Sequence, residues 1–279
     1  LASGYSTGST ICAPTQSEPD PIPADQFRIG PLKLLLDGSL GANTAYLQEE
    51  YADAPGEKGM PLYTQEELDH MVLTAHREGM QIAMHAIGDG AIELCLDAIE
   101  AAQKALPHLK PRHGIVHCQI TRPDQLEKIA ALNLHVYAQS IFLDYDTQIV
   151  EARVGKELAS TSYSWKTLMK KGVSVSNGSD CPVELPFVMG GIQCAVTRAS
   201  LHGDNPQPYL PEEAFTVQEA LDSYTVHAAK ASFEEGIKGR IAPDMLADFV
   251  ILGENIFEAD VNTIKDISVL ATYLGGKCV

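Results

Sequence analysis

Five short apolar runs recur between residues 31 and 180. Each ends in a polar side chain or a turn, and segments of helical period lie between them. They are PLKLLLD (31–37), QIAMHAIGD (81–89), RHGIVHCQ (112–119), LHVYAQSIF (134–142) and VSVSNGSD (173–180). Their length and apolar density predict strands. Helices are predicted over 64–80, 90–106 and 122–133, in a hairpin region ending at 164–172, and over 188–202 and 216–235. Thr64 with Glu67 three residues on is a capping-box signal, and Pro123 stands near the start of its helix.

Strands that alternate with helices must run parallel, so the chain is α/β. A doubly wound sheet and a (β/α) barrel both satisfy that pattern. The polar residues favour the barrel: Asp37, His85, His117, Gln119 and Asp180 all fall at the C-terminal ends of predicted strands. A barrel gathers its chemistry from several strand ends, whereas a doubly wound sheet concentrates it at one switch point. No GxGxxG follows the first strand and no GxxxxGK[ST] occurs, which counts against nucleotide folds. A closed barrel needs eight strands. Residues 1–29, rich in Ser, Thr, Pro and Asp, are too few to hold three more. The expectation is therefore the C-terminal part of a longer barrel, with an irregular lead-in at 1–29 and about five βα units over 30–238. Short strands joined by turns are expected over 239–279.

Composition narrows the function classes. With 279 residues, 45% of them hydrophobic, the chain can bury a large core. A net charge of −17 argues against nucleic acid or an anionic membrane as partner. No apolar run approaches the ~20 residues of a transmembrane helix. The opening LASGYSTGST lacks the basic flank and apolar core of a signal peptide. Of six cysteines without a CxxC, most sit in apolar contexts and read as small core residues, which fits a reducing, cytoplasmic setting. Open sheet edges in a partial barrel suggest self-association, as a homo-oligomer or with a partner.

Lys33 is the unusual side chain of the first strand. Alternation puts Leu32, Leu34 and Leu36 on one face and Lys33, Leu35 and Asp37 on the other. The strand looks buried on both sides, where an ammonium is costly and tends to lose its proton. Lys33 then reads either as an edge-strand lysine that snorkels, or as a neutral amine carbamylated to a carboxylate able to bridge two metal ions. Asp37 is a rival ligand or a turn residue beside Gly38. His85 and His117 end successive strands at the same height, where imidazole suits a divalent ion such as zinc; either alone reads equally as a hydrogen-bonded core histidine. Asp180, in a Gly-Ser turn, suits a metal ligand or base, or a turn carboxylate. His113 shares a face with His117 by parity and is expected to point into the lower barrel. His70, His76, His108, His135, His202 and His227 match no HExxH, and no GxSxG is present.

The segments LKLLLDGSLG, HAIGDGA, RHGIVHCQ, NGSDCPVE and KGRIAPDMLADFVIL occur in this order. As an ordered set they resemble the amidohydrolase superfamily, within it the N-substituted formamide deformylase-like branch, from about residue 28 to the end. The resemblance implies a distorted (β/α)8 barrel with a small β-sandwich built from both termini. It implies hydrolysis of non-peptide C–N bonds, in amides or cyclic amides, by a metal-activated water, with a small-molecule amide as substrate. Lys33 matches the lysine that is carboxylated to bridge two metals, and His85 and His117 match the histidines of the next two strands. Asp180 matches the last-strand aspartate that binds metal and shuttles the proton. The implied cofactor is one or two divalent ions, with zinc expected. Gly90 replaces the arginine of HAIGDRA, and the family's His-x-His pair is absent. The alternative reading is a catalytically incompetent C-terminal fragment, or a regulatory relative that keeps the fold without the chemistry.

Overall fold

A computed structural model of the protein describes residues 29–203 and 206–279. All but the last residue of the expected lead-in segment lies outside the described residues. Pro31–Val279 form one compact unit.

The strands and helices follow one another as β1 (Leu32–Leu35), α1 (Gln65–Arg77), β2 (Ile82–Ala86), α2 (Asp89–Ala105), β3 (Gly114–His117), α3 (Pro123–Ala131) and β4 (His135–Ala138). Three helices come next, α4 (Leu143–Asp146), α5 (Val150–Ala159) and α6 (Trp165–Lys170), then β5 (Ser174–Asn177) and α7 (Val188–Thr197). The chain closes with α8 (Val217–Tyr224), α9 (Val226–Ala231), β6 (Phe249–Leu252), β7 (Val269–Leu274) and β8 (Lys277–Cys278). Strands β1 to β5 form one parallel sheet in sequence order, and β6 to β8 a small antiparallel sheet. This is the α/β arrangement of a barrel segment, with every neighbour in the sheet also next in the chain. Each strand is shorter than its apolar run, because the flanking residues turn into the loops that carry the polar side chains. The helix expected over 216–235 is two, broken at Thr225 (φ −122°, ψ −84°).

Register sorts the sheet into two faces. Leu34, Met84, Ile115, Val136 and Val175 pair in one row across all five strands. All are buried in one core with Leu68 and Val72 of α1, Ile92 and Leu96 of α2, Ile129 of α3 and Leu168 of α6. Each such side chain contributes roughly 1.5–3 kcal/mol by leaving water. On the other face, Lys33, Ala83, Gly114, His135 and Ser174 form one row, and Leu35, His85, Val116, Tyr137 and Ser176 the next. Gly114 is required here: a Cβ on it would lie 2.5 Å from the Tyr137 ring.

The expectation that β1 is buried on both sides is corrected. Leu35 is 41% exposed and Lys33 is exposed. The physical reason is position: β1 is an edge strand, flanked among the described residues by β2 alone.

The helix starts bear the sequence signals. Thr64 and Glu67 make both halves of the capping box on α1, and proline opens α3. Thr216 and Glu219 form a second box on α8. Among the described residues Cys95, Cys118 and Cys194 are buried, while Cys181 and Cys278 are exposed. No helix of the described residues is long and apolar enough to cross a membrane.

Candidate active site

His85 and His117 meet at the C-terminal edge of the sheet, their ring centroids 4.4 Å apart in an edge-to-face pair. His85 arrives there by register, since it pairs with Leu35 and Val116. His117 does not. It pairs with Ala86, whose side chain belongs to the helix-covered core, so alternation would send the imidazole into the helix layer. Instead His117 takes φ +75° and Cys118 φ +51°. Two consecutive non-glycine residues in the left-handed region cost of the order of 1–2 kcal/mol each, and the cost must be met by local contacts. The indole of Trp165 donates to the carbonyls of both His117 and Cys118 at 3.1 Å. The Tyr163 amide donates to Gln119 O at 2.6 Å. These bonds hold the turn that swings His117 to the site.

His113 is thereby corrected. Parity with His117 fails because His117 leaves the alternation, and His113 lies on the helix side. Its Nε2 is 2.9 Å from His76 Nδ1 on α1, and its Nδ1 accepts from the Ile82 amide at 3.2 Å. Burial, with His76 beside it, pushes its pKa down to about 4.

Each site imidazole has one nitrogen committed and one open. His117 Nδ1 donates to Gln139 Oε1 at 2.8 Å, and the Gln139 amide is oriented by its own bond to Tyr137 O at 2.9 Å. That fixes a neutral ring with its lone pair on Nε2. Burial first, then the neighbouring His85 and Lys33 charges, push the His117 pKa down to about 3, so the ring stays neutral near pH 7. His85 Nε2 lies 2.9 Å from Gly38 O and 3.2 Å from Asp37 Oδ1, which fixes its proton there and leaves Nδ1 open. Donation of the outer nitrogen to a carbonyl or carboxamide is the usual way a ligating imidazole is oriented.

Asp180, at φ +54°, reaches the same place from the end of β5. Its Oδ2 is 3.9 Å from His117 Nε2. A neutral Nε2 carries no proton, so two electron pairs face each other across this gap with nothing to share. Lys33 stands on β1, at the opposite end of the sheet order from β5. Although Lys33 is exposed on the edge strand, desolvation lowers its pKa, and the Asp180 carboxylate opposes that shift. Structure brings these four expected residues to one region. Among the described residues, however, no three His, Cys, Asp or Glu side chains gather closely enough to hold a metal by themselves. The donor chemistry nevertheless fits a divalent cation: two open imidazole nitrogens, a carboxylate, and a lysine able to become one.

Asp37 is not a rival ligand. Its carboxylate accepts from the Tyr46 amide at 2.9 Å, the Ile87 amide at 3.1 Å and the Gly88 amide at 2.9 Å. With His85 beside it, its acceptor sites are filled. It pins the loop after β1 to the end of β2 and holds His85 in place. Gly90 sits beneath the same loop, where a Cβ would come within 2.8 Å of the Tyr46 ring. An arginine at this position would displace Tyr46. Gln139 and Trp165 escaped the sequence reading, since neither belongs to a ligand pattern; their roles arise from the turn at His117.

A model of the amidohydrolase family matches residues 11–279. YtcJ of Bacillus subtilis, assigned by name to the amidohydrolases, is 35% identical over 251 residues, 90% of this chain and 47% of that protein. The N-substituted formamide deformylase of Arthrobacter pascens is 25% identical over 219 residues, 78% of this chain and 40% of that protein. An uncharacterized metal-dependent hydrolase from Pyrococcus horikoshii superposes with a TM-score of 0.73 at 30% identity, over 84% of this chain and 46% of its own. The chain thus spans less than half the length of each of these proteins.

Proposed function

Because this chain belongs to the amidohydrolase family, we propose that it forms the C-terminal part of a metal-dependent hydrolase acting on non-peptide C–N bonds, in amides or cyclic amides, N-substituted formamides among them. The observation that carries this reading is the unprotonated His117 Nε2 facing Asp180 Oδ2 across 3.9 Å. One or two bound divalent ions, zinc in our reading, would supply a Lewis acid for the substrate carbonyl and lower the pKa of the attacking water. His85 and His117 would hold such an ion through Nδ1 and Nε2, the nitrogens left open by their bonds to Gly38 and Gln139. Asp180 takes the water's proton during attack and returns it to the departing nitrogen. Lys33, as a free amine, would add carbon dioxide with loss of one proton and so offer a carbamate carboxylate as a further metal ligand. Partial burial favours the amine form from which this addition starts.

A second reading follows from the absence of a three-ligand group among the described residues: the chain alone binds metal weakly and turns over nothing. Metal analysis together with assay of N-formyl and N-acyl amines separates the two. Turnover by the chain with bound zinc supports the hydrolase, and Asp180→Asn should then lower kcat by roughly 10²–10⁴ while leaving the melting temperature unchanged. Full activity in that variant would remove Asp180 from its assigned role.

A further inference from the structure

A cavity of about 220 Å³ opens beside the candidate centre. It is walled by Leu40, Ile87, Phe142 and Val183, which come from the loops after four different strands. Phe142 also stacks on His117 with centroids 5.9 Å apart, so the cavity and the centre share a wall. Its polar lining includes Gln119, Asp146 and Glu184, and no lysine, arginine or histidine lines it.

Hydrogen bonding leaves three acceptors of that lining open. Asp146 Oδ2 accepts from Tyr163 Oη at 2.9 Å and from Gln119 Nε2 at 3.2 Å, and its Oδ1 has no partner among the described residues. Gln119 is 1% exposed. With its amide nitrogen given to Asp146, its Oε1 is left an acceptor without a bond among the described residues. Glu184 forms no hydrogen bond or ion pair among them either. Burial lifts the Asp146 carboxyl to about 6, with Glu184 adding to the rise; a cation docked here would reverse it. Three acceptors, beside the Ser39 and Tyr145 hydroxyls that can either donate or accept, call for a ligand with several N–H donors on one atom.

We propose that this cavity is the specificity pocket of the site and selects amide substrates that carry a primary ammonium on an apolar body, held by Asp146 Oδ1, Gln119 Oε1 and Glu184. That these ligands are substrates rests on the hydrolase reading; that the pocket prefers them does not. Calorimetric titration of the chain, without added metal at pH 7.5, compares 2-phenylethylammonium, 2-phenylethanol and phenylacetate. The ammonium should bind at least tenfold more tightly than the alcohol, and phenylacetate should not bind. Asp146→Asn should erase that preference, and Glu184→Gln, on a surface loop where folding is not at stake, should narrow it several-fold. Equal binding of ammonium and alcohol, binding of neither, or an unchanged ratio in Glu184→Gln overturns the proposal. The two readings fail separately. A chain with this preference and no turnover leaves the pocket standing and removes hydrolysis by this chain alone, whereas hydrolysis of cationic and neutral amides with equal kcat/KM leaves the hydrolase and removes the pocket.

Discussion

The two faces of the five-stranded sheet solve different problems with the same backbone. On the helix side, one residue per strand, from Leu34 through Met84, Ile115 and Val136 to Val175, makes an unbroken buried apolar row. No polar atom interrupts it, and its geometry is that of ordinary alternation. On the opposite face the corresponding rows hold a lysine, two histidines, a tyrosine and two serines. At the strand ends above them the backbone departs from regular geometry at His117, Cys118 and Asp180. One face supplies stability by burial; the other holds chemistry in place with hydrogen bonds from Gln139, Trp165 and Asp37. Strain at the ends is supported by a row that is itself unstrained.

If that division is right, substitutions on the two faces should separate stability from chemistry. The largest effect belongs to the helix side. Ile115→Ala removes a fully buried side chain from the middle of the apolar row and should cost about 2–5 kcal/mol of stability, read from chemical denaturation, with zinc affinity of the folded fraction unchanged. A large loss of metal affinity without a loss of stability would break the comparison. On the site face, Gln139→Ala leaves His117 Nδ1 without its acceptor. Metal affinity should fall roughly 10–100-fold while the melting temperature moves little, as calorimetry of both properties will show.

A pH dependence, taken one histidine at a time, sharpens the role of buried neutral histidines on both faces. His113 has its pKa pushed down to about 4, and His117 and His135 to about 3, burial being the first cause in each. An unfolded histidine titrates near 6.5. Below that value the unfolded chain binds protons that the native state refuses, so stability falls as pH drops from about 6.5 toward 4, by up to roughly 1.4 kcal/mol per pH unit for each histidine. His113→Gln should flatten this slope in denaturation curves taken between pH 6.5 and 4.5. A slope equal to that of the unaltered chain would mean His113 is protonated in the fold.

Sequence pattern carried the apolar side of this comparison and little of the other. Alternation in LKLLL and QIAMHA is enough to place Leu34 and Met84 in the core, and Thr64 with Glu67 is enough to start α1, because burial and capping are local and periodic. His85 was legible for the same reason. His117 reaches the site only because its φ is positive, a property of the Trp165-bonded turn that no periodicity encodes; parity therefore misplaced His113. Asp37 looked like a ligand because its three backbone donors come from residues up to 51 positions away. Lys33 looked buried because a leucine run does not show that β1 has a strand neighbour on one side alone among the described residues. Gln139 carried no signal, since a glutamine after an apolar strand is unremarked until the imidazole it orients is in place.

The central claim is that the open nitrogens of His85 and His117 and the Asp180 carboxylate receive a divalent cation. Zinc titration by calorimetry at pH 7.5, on the unaltered chain and on His117→Ala, tests it most directly. The account predicts saturable binding by the unaltered chain and at least a tenfold loss of affinity in the variant, with the fold intact by circular dichroism. Equal zinc affinity in the two proteins, or no saturable binding by either, would contradict it.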